Sequence, residues 1–225
     1  MQHSPNIVKC NLIMNKWAIG LAVVVFGLVT FIYLGSRGQS LGLSSAQEVD
    51  MKISDQDWMK GNSGAQVSLV EYSDFQCPAC AAYYPFVRRL EEELGEKLKV
   101  VYRQFPLISA HPNAYPAARA SEAAGNQGKF WEMHDILFER QEEWSAQVDA
   151  KENFVTYAKE IGLDEAQFLA DYDSDIVKDR VNEDISSGND FEVNATPTFF
   201  LNGRKMAAPA NYEGFKSLVN GEFSN

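Results

Sequence analysis

The sequence predicts an α/β fold, a small mixed sheet built from a βαβ half and a ββα half with an all-helical insertion between them. Three observations predict it. Strand-like runs at 67–72 and 98–103 flank a helical run. Helical periodicity then persists from about 110 to 190. Finally the chain returns to strand at Thr198-Phe199-Phe200-Leu201, where Asn202-Gly203 leads into Arg204-Lys205-Met206-Ala207, a strong hairpin signal.

Ahead of this region, Trp17 to Leu34 is an eighteen-residue run without a charge. As a helix it would be roughly 27 Å long, close to the thickness of a bilayer core. It is expected to be a single N-terminal transmembrane helix, an uncleaved signal-anchor. A cleaved secretory signal is the rival, but the run exceeds the usual apolar core of such signals and Tyr33-Leu34-Gly35-Ser36 is a poor cleavage site. Lys9 and Lys16 precede the run and only Arg37 follows closely, which places 1–16 in the cytoplasm. The remainder is then a single-pass protein of the cell membrane, its main domain on the periplasmic or extracellular face. Residues 35–53, rich in Gly, Ser and Gln, are expected to be a flexible linker with a reach of roughly 25 Å. The folded domain is expected over 54–225.

Within the domain each element has a local cause. Val67 to Tyr72 is the first strand. Pro78 suits the first position of the following helix, where its missing N–H costs nothing. Tyr83, Val87, Leu90 and Leu94 mark one face of that helix, Pro85 predicts a kink, and Gly95 stops it. Leu98 to Arg103 is the second strand. The insertion opens with an alanine-rich stretch, Pro112 to Gly125, suited to close packing. Lys129 to Trp144 follows, with Phe130, Met133, Leu137 and Gln141 along one stripe. Glu152 to Ile161 is the next helix. Asp164 with Gln167 resembles a capping box, and Ser174 caps a helix carrying Val177, Val181 and Ile185. A closing helix carries Tyr212, Phe215, Leu218 and Val219.

The net charge of −11, with no acidic residue before Glu48, makes the exported part strongly acidic. Such a domain is not expected to bind nucleic acid or anionic lipid through its field. The three cysteines divide by position. Cys10 precedes the apolar run and reads as a free juxtamembrane thiol, which leaves Cys77 and Cys80 as one pair in an oxidising compartment.

Cys77-Pro78-Ala79-Cys80 lies where a strand feeds a helix. Unpaired backbone N–H groups and the positive end of the helix dipole there favour a thiolate, the species that exchanges disulfides. A zinc site is the alternative for such spacing. It would need two further ligands, and there is no second CxxC while His3, His111 and His134 are scattered. No metal is therefore expected. Glu71 is six residues before Cys77 on a strand. If buried beneath the turn, it would relay the proton that Cys80 exchanges; an edge-exposed glutamate fits the pattern as well. Thr196-Pro197 opens the third strand, where a cis bond would turn the Thr196 backbone toward an extended peptide, although a trans loop proline is the commoner case. His134 reads as a hydrogen-bonded packing residue, and Phe130, Trp131 and Trp144 as core. Glu91-Glu92-Glu93 reads as a solvated helix face.

The segments VEYSDFQCPAC, HPNAYPAARASEAAGNQGKFWEMHDILFERQ and ATPTFFLNGRK together resemble the DsbA-like thiol–disulfide oxidoreductases of the thioredoxin superfamily. The resemblance runs from roughly Asp55 to Phe223. It implies a thioredoxin fold with a helical insertion, no bound cofactor, and a cis bond before Pro197. It also implies that Cys77 is the nucleophile, Cys80 the resolving cysteine and Glu71 the buried acid, with Pro197 as a fourth catalytic residue and Thr196, Pro197, Pro78 and Ala79 binding substrate. The sequence departs from the most oxidising relatives, which carry Pro-His where this chain has Pro78-Ala79; Thr196 also occurs in isomerase-like relatives, and Ala195 replaces a common glycine.

The expectation is a membrane-tethered oxidase that introduces disulfides into reduced or misoxidised exported proteins and is reoxidised by a quinone-linked membrane thiol oxidase. The alternatives are a reductase or isomerase of the same fold, or a non-catalytic module that binds peptides or a metal ion.

Overall fold

The computed structural model describes residues 49–223. The expected cytoplasmic tail (1–16), transmembrane anchor (17–34), Cys10 and most of the linker lie outside the described residues. Among the described residues, no helix is long and apolar enough to cross a membrane.

Five strands form one mixed sheet in the order β1-β3-β2-β4-β5. They are β1 (Trp58–Gly61), β2 (Val67–Ser73), β3 (Leu98–Gln104), β4 (Thr198–Leu201) and β5 (Arg204–Met206). β2 and β3 are parallel and joined by α1 (Pro78–Leu94); every other pairing is antiparallel. Because side chains alternate along a strand, Leu69, Val100, Phe199 and Leu201 face α1 and α8 (Tyr212–Glu222). There they meet Val87, Leu90, Phe215 and Val219. Val70, Tyr72, Val101 and Phe200 face the other way, toward Phe105, Val193 and Ile185. Alternation puts Glu71 on the α1 side, opposite Tyr102 of β3 and Phe199 of β4.

The insertion comprises α2 (Ala114–Gly125), α3 (Phe130–Glu139), α4 (Gln141–Trp144), α5 (Lys151–Glu160), α6 (Glu165–Asp173) and α7 (Asp175–Asp190). Alanines of α2 let Phe130, Met133, Leu137, Trp144, Phe154 and Phe168 gather into one core. That core continues to Phe75, Cys77 and Cys80. Two helices start where their caps were expected. Asp164 Oδ1 accepts from the Gln167 N–H at 2.8 Å, and Ser174 Oγ from the Val177 N–H at 3.2 Å. The glutamate run is ion-paired: Glu91 with Lys60, Glu92 with Arg88 and Glu93 with Arg89.

Two expectations need correction, and one element is additional. The helix expected over Lys129–Trp144 breaks at Arg140, whose φ of −114° is not helical, so α3 and α4 are separate. The linker expected over 35–53 is docked at its far end. Val49, Met51 and Ile53, at alternate positions, pack on the sheet face opposite α1, and the Val49 N–H donates to Gly203 O at 3.0 Å. The edge strand β1 was not expected at all. Trp58 secures it, stacking on Phe130 at 4.3 Å and donating Nε1–H to Glu122 at 2.8 Å. It stops at Gly61, whose φ is +82° and where an added Cβ would lie 2.1 Å from Leu98 O, so no side chain fits.

Candidate active site

The site forms where β2 ends and α1 begins. Asp74 through Gln76 make the turn, Cys77 is the N-cap with extended dihedrals (φ −71°, ψ 121°), and Pro78 is the first helical residue. Cys77 and Cys80 are both free thiols and both buried, while Pro78 and Ala79 between them are exposed. Helical geometry turns Cys80 inward, to zero exposure, and leaves Cys77 at the rim with 7%.

The loop before β4 closes over Cys77. The Thr196–Pro197 bond is cis, as the resemblance implied, and Cys77 Sγ as a thiol donates to Thr196 O at 3.4 Å. The Thr196 hydroxyl is buried there without another partner. The structure therefore brings together Cys77, Pro78, Ala79, Cys80, Thr196 and Pro197 at one mouth, with Glu71 beneath them. The carboxyl of Glu71 is buried at 4% exposure, which removes the edge-exposed alternative.

The two thiols differ in acidity because their surroundings differ. A hydrogen bond from Cys80, a contact from Thr196 and the N–H groups of Ala79 and Cys80 pull Cys77 down to about 5, against the opposing effect of burial. Burial pushes Cys80 well above the usual thiol range, and the nearby charges of Cys77 and Glu71 push it further. Burial also raises Glu71 to about 7, so its carboxyl is poised to gain or lose a proton near neutrality.

Several residues that sequence reasoning did not single out position this loop. Asp74 is buried and accepts from the Gln76 and Leu107 N–H groups at 2.7 and 2.9 Å, and it contacts His111 Nδ1 at 2.7 Å. Gln76 accepts from the Asn113 N–H and donates to Ser145 O. Gln141 of α4 donates to Phe75 O at 2.6 Å and to Cys77 O at 3.1 Å. The insertion is thus fastened to the residues on both sides of Phe75. No local pattern marks such amide contacts across 30 to 70 residues of sequence. Among the described residues no three His, Cys, Asp or Glu side chains converge in a way that could hold a metal ion.

A family model for thioredoxin matches residues 54–221. A curated relative from Mycolicibacterium vanbaalenii, named Na(+)/H(+) antiporter NhaA 1, is 38% identical over 198 residues, covering 85% of this chain and 30% of its own length. The chain spans less than a third of the length of the curated relatives it matches. Among solved structures, oxidised BdbD from Bacillus subtilis superposes with a TM-score of 0.67 at 21% identity, covering 76% of this chain and 94% of that one. alpha-DsbA1 from Wolbachia pipientis gives 0.69 at 18% identity, covering 77% and 94%. At these identities the likeness is one of fold.

Proposed function

This chain belongs to the thioredoxin family with the fold of its DsbA-like members, and from that premise we propose that it is a thiol–disulfide oxidase of exported proteins. The observation that carries this is the contrast within one CxxC: an acidic thiol at the rim under Thr196 and a buried, hard-to-ionise thiol behind it.

A substrate thiolate attacks Cys77 Sγ of the oxidised pair, giving a mixed disulfide and expelling Cys80 as a thiolate. Glu71 supplies the proton that Cys80 takes up. A second substrate thiolate then attacks the substrate sulfur. Cys77, an acidic thiol and so a good leaving group, departs as a thiolate, and the product carries the new disulfide. Thr196, Pro197, Pro78 and Ala79 form the surface on which the substrate segment lies. The two electrons left on the enzyme pass to a membrane thiol oxidase linked to quinone. The apolar run Trp17–Leu34 would hold the domain on the extracytoplasmic face beside that partner. Sodium–proton antiport, the activity in the names of the longer relatives, has no counterpart in this site.

Two measurements on the full-length protein test the proposal. Cys80→Ser is expected to accumulate mixed disulfides with exported proteins and Cys77→Ser to form none; equal trapping by both variants would sink the mechanism. The reduction potential is expected near about −120 to −180 mV, whereas a value near about −270 mV would make the protein a reductase.

A further inference from the structure

Beneath the sheet end of the site, a narrow cleft leads from Glu71 to the surface. It has a volume of about 20 Å3, enough for a single water molecule. The buried Glu71, Tyr102 and His134 line it together with the partly exposed Asp135, Lys60 and Glu91, whose exposure puts them at its solvent end. Tyr84, Val87 and Arg88 of α1 contribute to the wall, as do Val100, Trp131 and Phe138.

Three features of this lining go beyond packing. The Tyr102 hydroxyl is buried, at 1% residue exposure, and has no hydrogen-bond partner in a cleft that also holds the Glu71 carboxyl. His134 lies edge-on to Tyr102, with ring centroids 4.8 Å apart. Its Nδ1 is held by Asp135 at 2.8 Å, leaving Nε2 as its remaining site. Asp135 reaches Lys60 Nζ at 3.8 Å, and Lys60 reaches Glu91 at 3.5 Å, both at the partly exposed surface. A hydroxyl without a partner and an imidazole with one free nitrogen therefore separate the buried acid from solvent-facing charges. A core built only for packing has no use for either.

We propose that Tyr102 and His134 relay protons between Glu71 and solvent, so that the buried acid is recharged from the side of the molecule away from the substrate. The inference rests on the role proposed for Glu71. During substrate oxidation the Cys77–Cys80 bond breaks and its electron pair leaves on Cys80 Sγ. Cys80 then takes the proton of Glu71; the carboxylate so formed is reprotonated by the Tyr102 hydroxyl, which regains its proton from His134, and His134 draws its own from solvent at the mouth. In the reverse reaction Cys80 gives its proton to Glu71 while its thiolate displaces the substrate sulfur from Cys77, and the proton leaves by the same route. The substrate covers Cys77 and Thr196 throughout, so a separate proton path lets both events proceed together. Burial lowers the basicity of His134, so it is neutral at rest and passes a proton on rather than retaining it.

The test uses oxidised full-length protein mixed rapidly with a reduced cysteine peptide, following loss of the Cys77–Cys80 disulfide from pH 5.5 to 8 in dilute buffer. His134→Phe keeps an aromatic ring in the cluster and Tyr102→Phe deletes only the unpartnered hydroxyl. Both are expected to slow disulfide loss, His134→Phe by about tenfold, with a larger solvent deuterium isotope effect than wild type and the pH midpoint for Cys77 alkylation unchanged. Tyr102→Phe keeps the test decisive if His134→Phe fails to fold. Wild-type rates in the folded variants, or slowing with an unchanged solvent isotope effect, would overturn the relay. Glu71→Gln separates the two levels: if it alone slows the reaction, the route fails and the role of Glu71 stands. If it does not slow the reaction, both fall.

Discussion

The ionisation of Cys77 fixes how the reduction potential must move with pH. With its thiol at about 5 and that of Cys80 well above the usual range, the reduced protein at pH 7 carries one thiolate and one thiol. Two pH units above that midpoint, the thiolate stabilises the reduced form by about 2.7 kcal/mol relative to a dithiol. For a two-electron couple this raises the potential by about 60 mV, and solvent screening at the rim brings the expectation to about 30–60 mV. The sign follows from the proton count. Below pH 5 reduction takes up two protons and the potential falls by about 59 mV per pH unit; above it reduction takes up one, and the slope halves to about 30 mV. Equilibration with glutathione buffers from pH 4 to 8, followed by acid quench and thiol alkylation, reads the ratio directly. A single slope of about 59 mV per unit across that range would mean that Cys77 stays protonated, and would refute the argument from its surroundings.

Thr196→Val removes the buried hydroxyl beside Cys77. The midpoint for Cys77 alkylation is expected to rise by about one unit, with the fold intact by circular dichroism. Glu71 titrates at about 7 when folded against 4.5 ordinarily. The folded state therefore holds the extra proton between those values, and stability falls as pH rises across that window. Glu71→Gln should be more stable than wild type by about 3 kcal/mol at pH 8, with the difference vanishing near pH 4 in urea denaturation. An added Cβ at Gly188 of α7 would lie 2.5 Å from the Phe105 ring and 3.2 Å from that of Tyr72. Gly188→Ala should cost about 1–3 kcal/mol of stability without changing the alkylation midpoint of Cys77.

Sequence-legible features are those whose cause is local. The Cys77–Cys80 spacing, the Asn202-Gly203 turn and the caps at Asp164 and Ser174 each announce themselves within a few residues. Alternation allowed Glu71 to be buried, but strand pattern alone left its face open. What escaped notice depends on distant partners. Strand β1 is only four residues long and ends in glycine; it exists because Trp58 finds Phe130 and Glu122 more than sixty residues on. The roles of Asp74, Gln76 and Gln141 arise from backbone groups that only the folded loop presents. In the sequence His134 reads as a packing residue and Tyr102 only as one position of the second strand; what sets them apart is the cleft that they share.

Both outer strands of the sheet are short, four residues in β1 and three in β5. Lys60 stands on one margin and Arg204 with Lys205 on the other. Such margins are poor templates for a foreign strand. A protein proposed to work among unfolded chains is surrounded by extended segments seeking any open ladder. Sheet borders this brief and this charged turn such segments away. If the proposed function holds, extended chains are left the backbone stretch beside Cys77 as the place to pair, and the short, charged margins guard the domain against co-aggregating with its substrates.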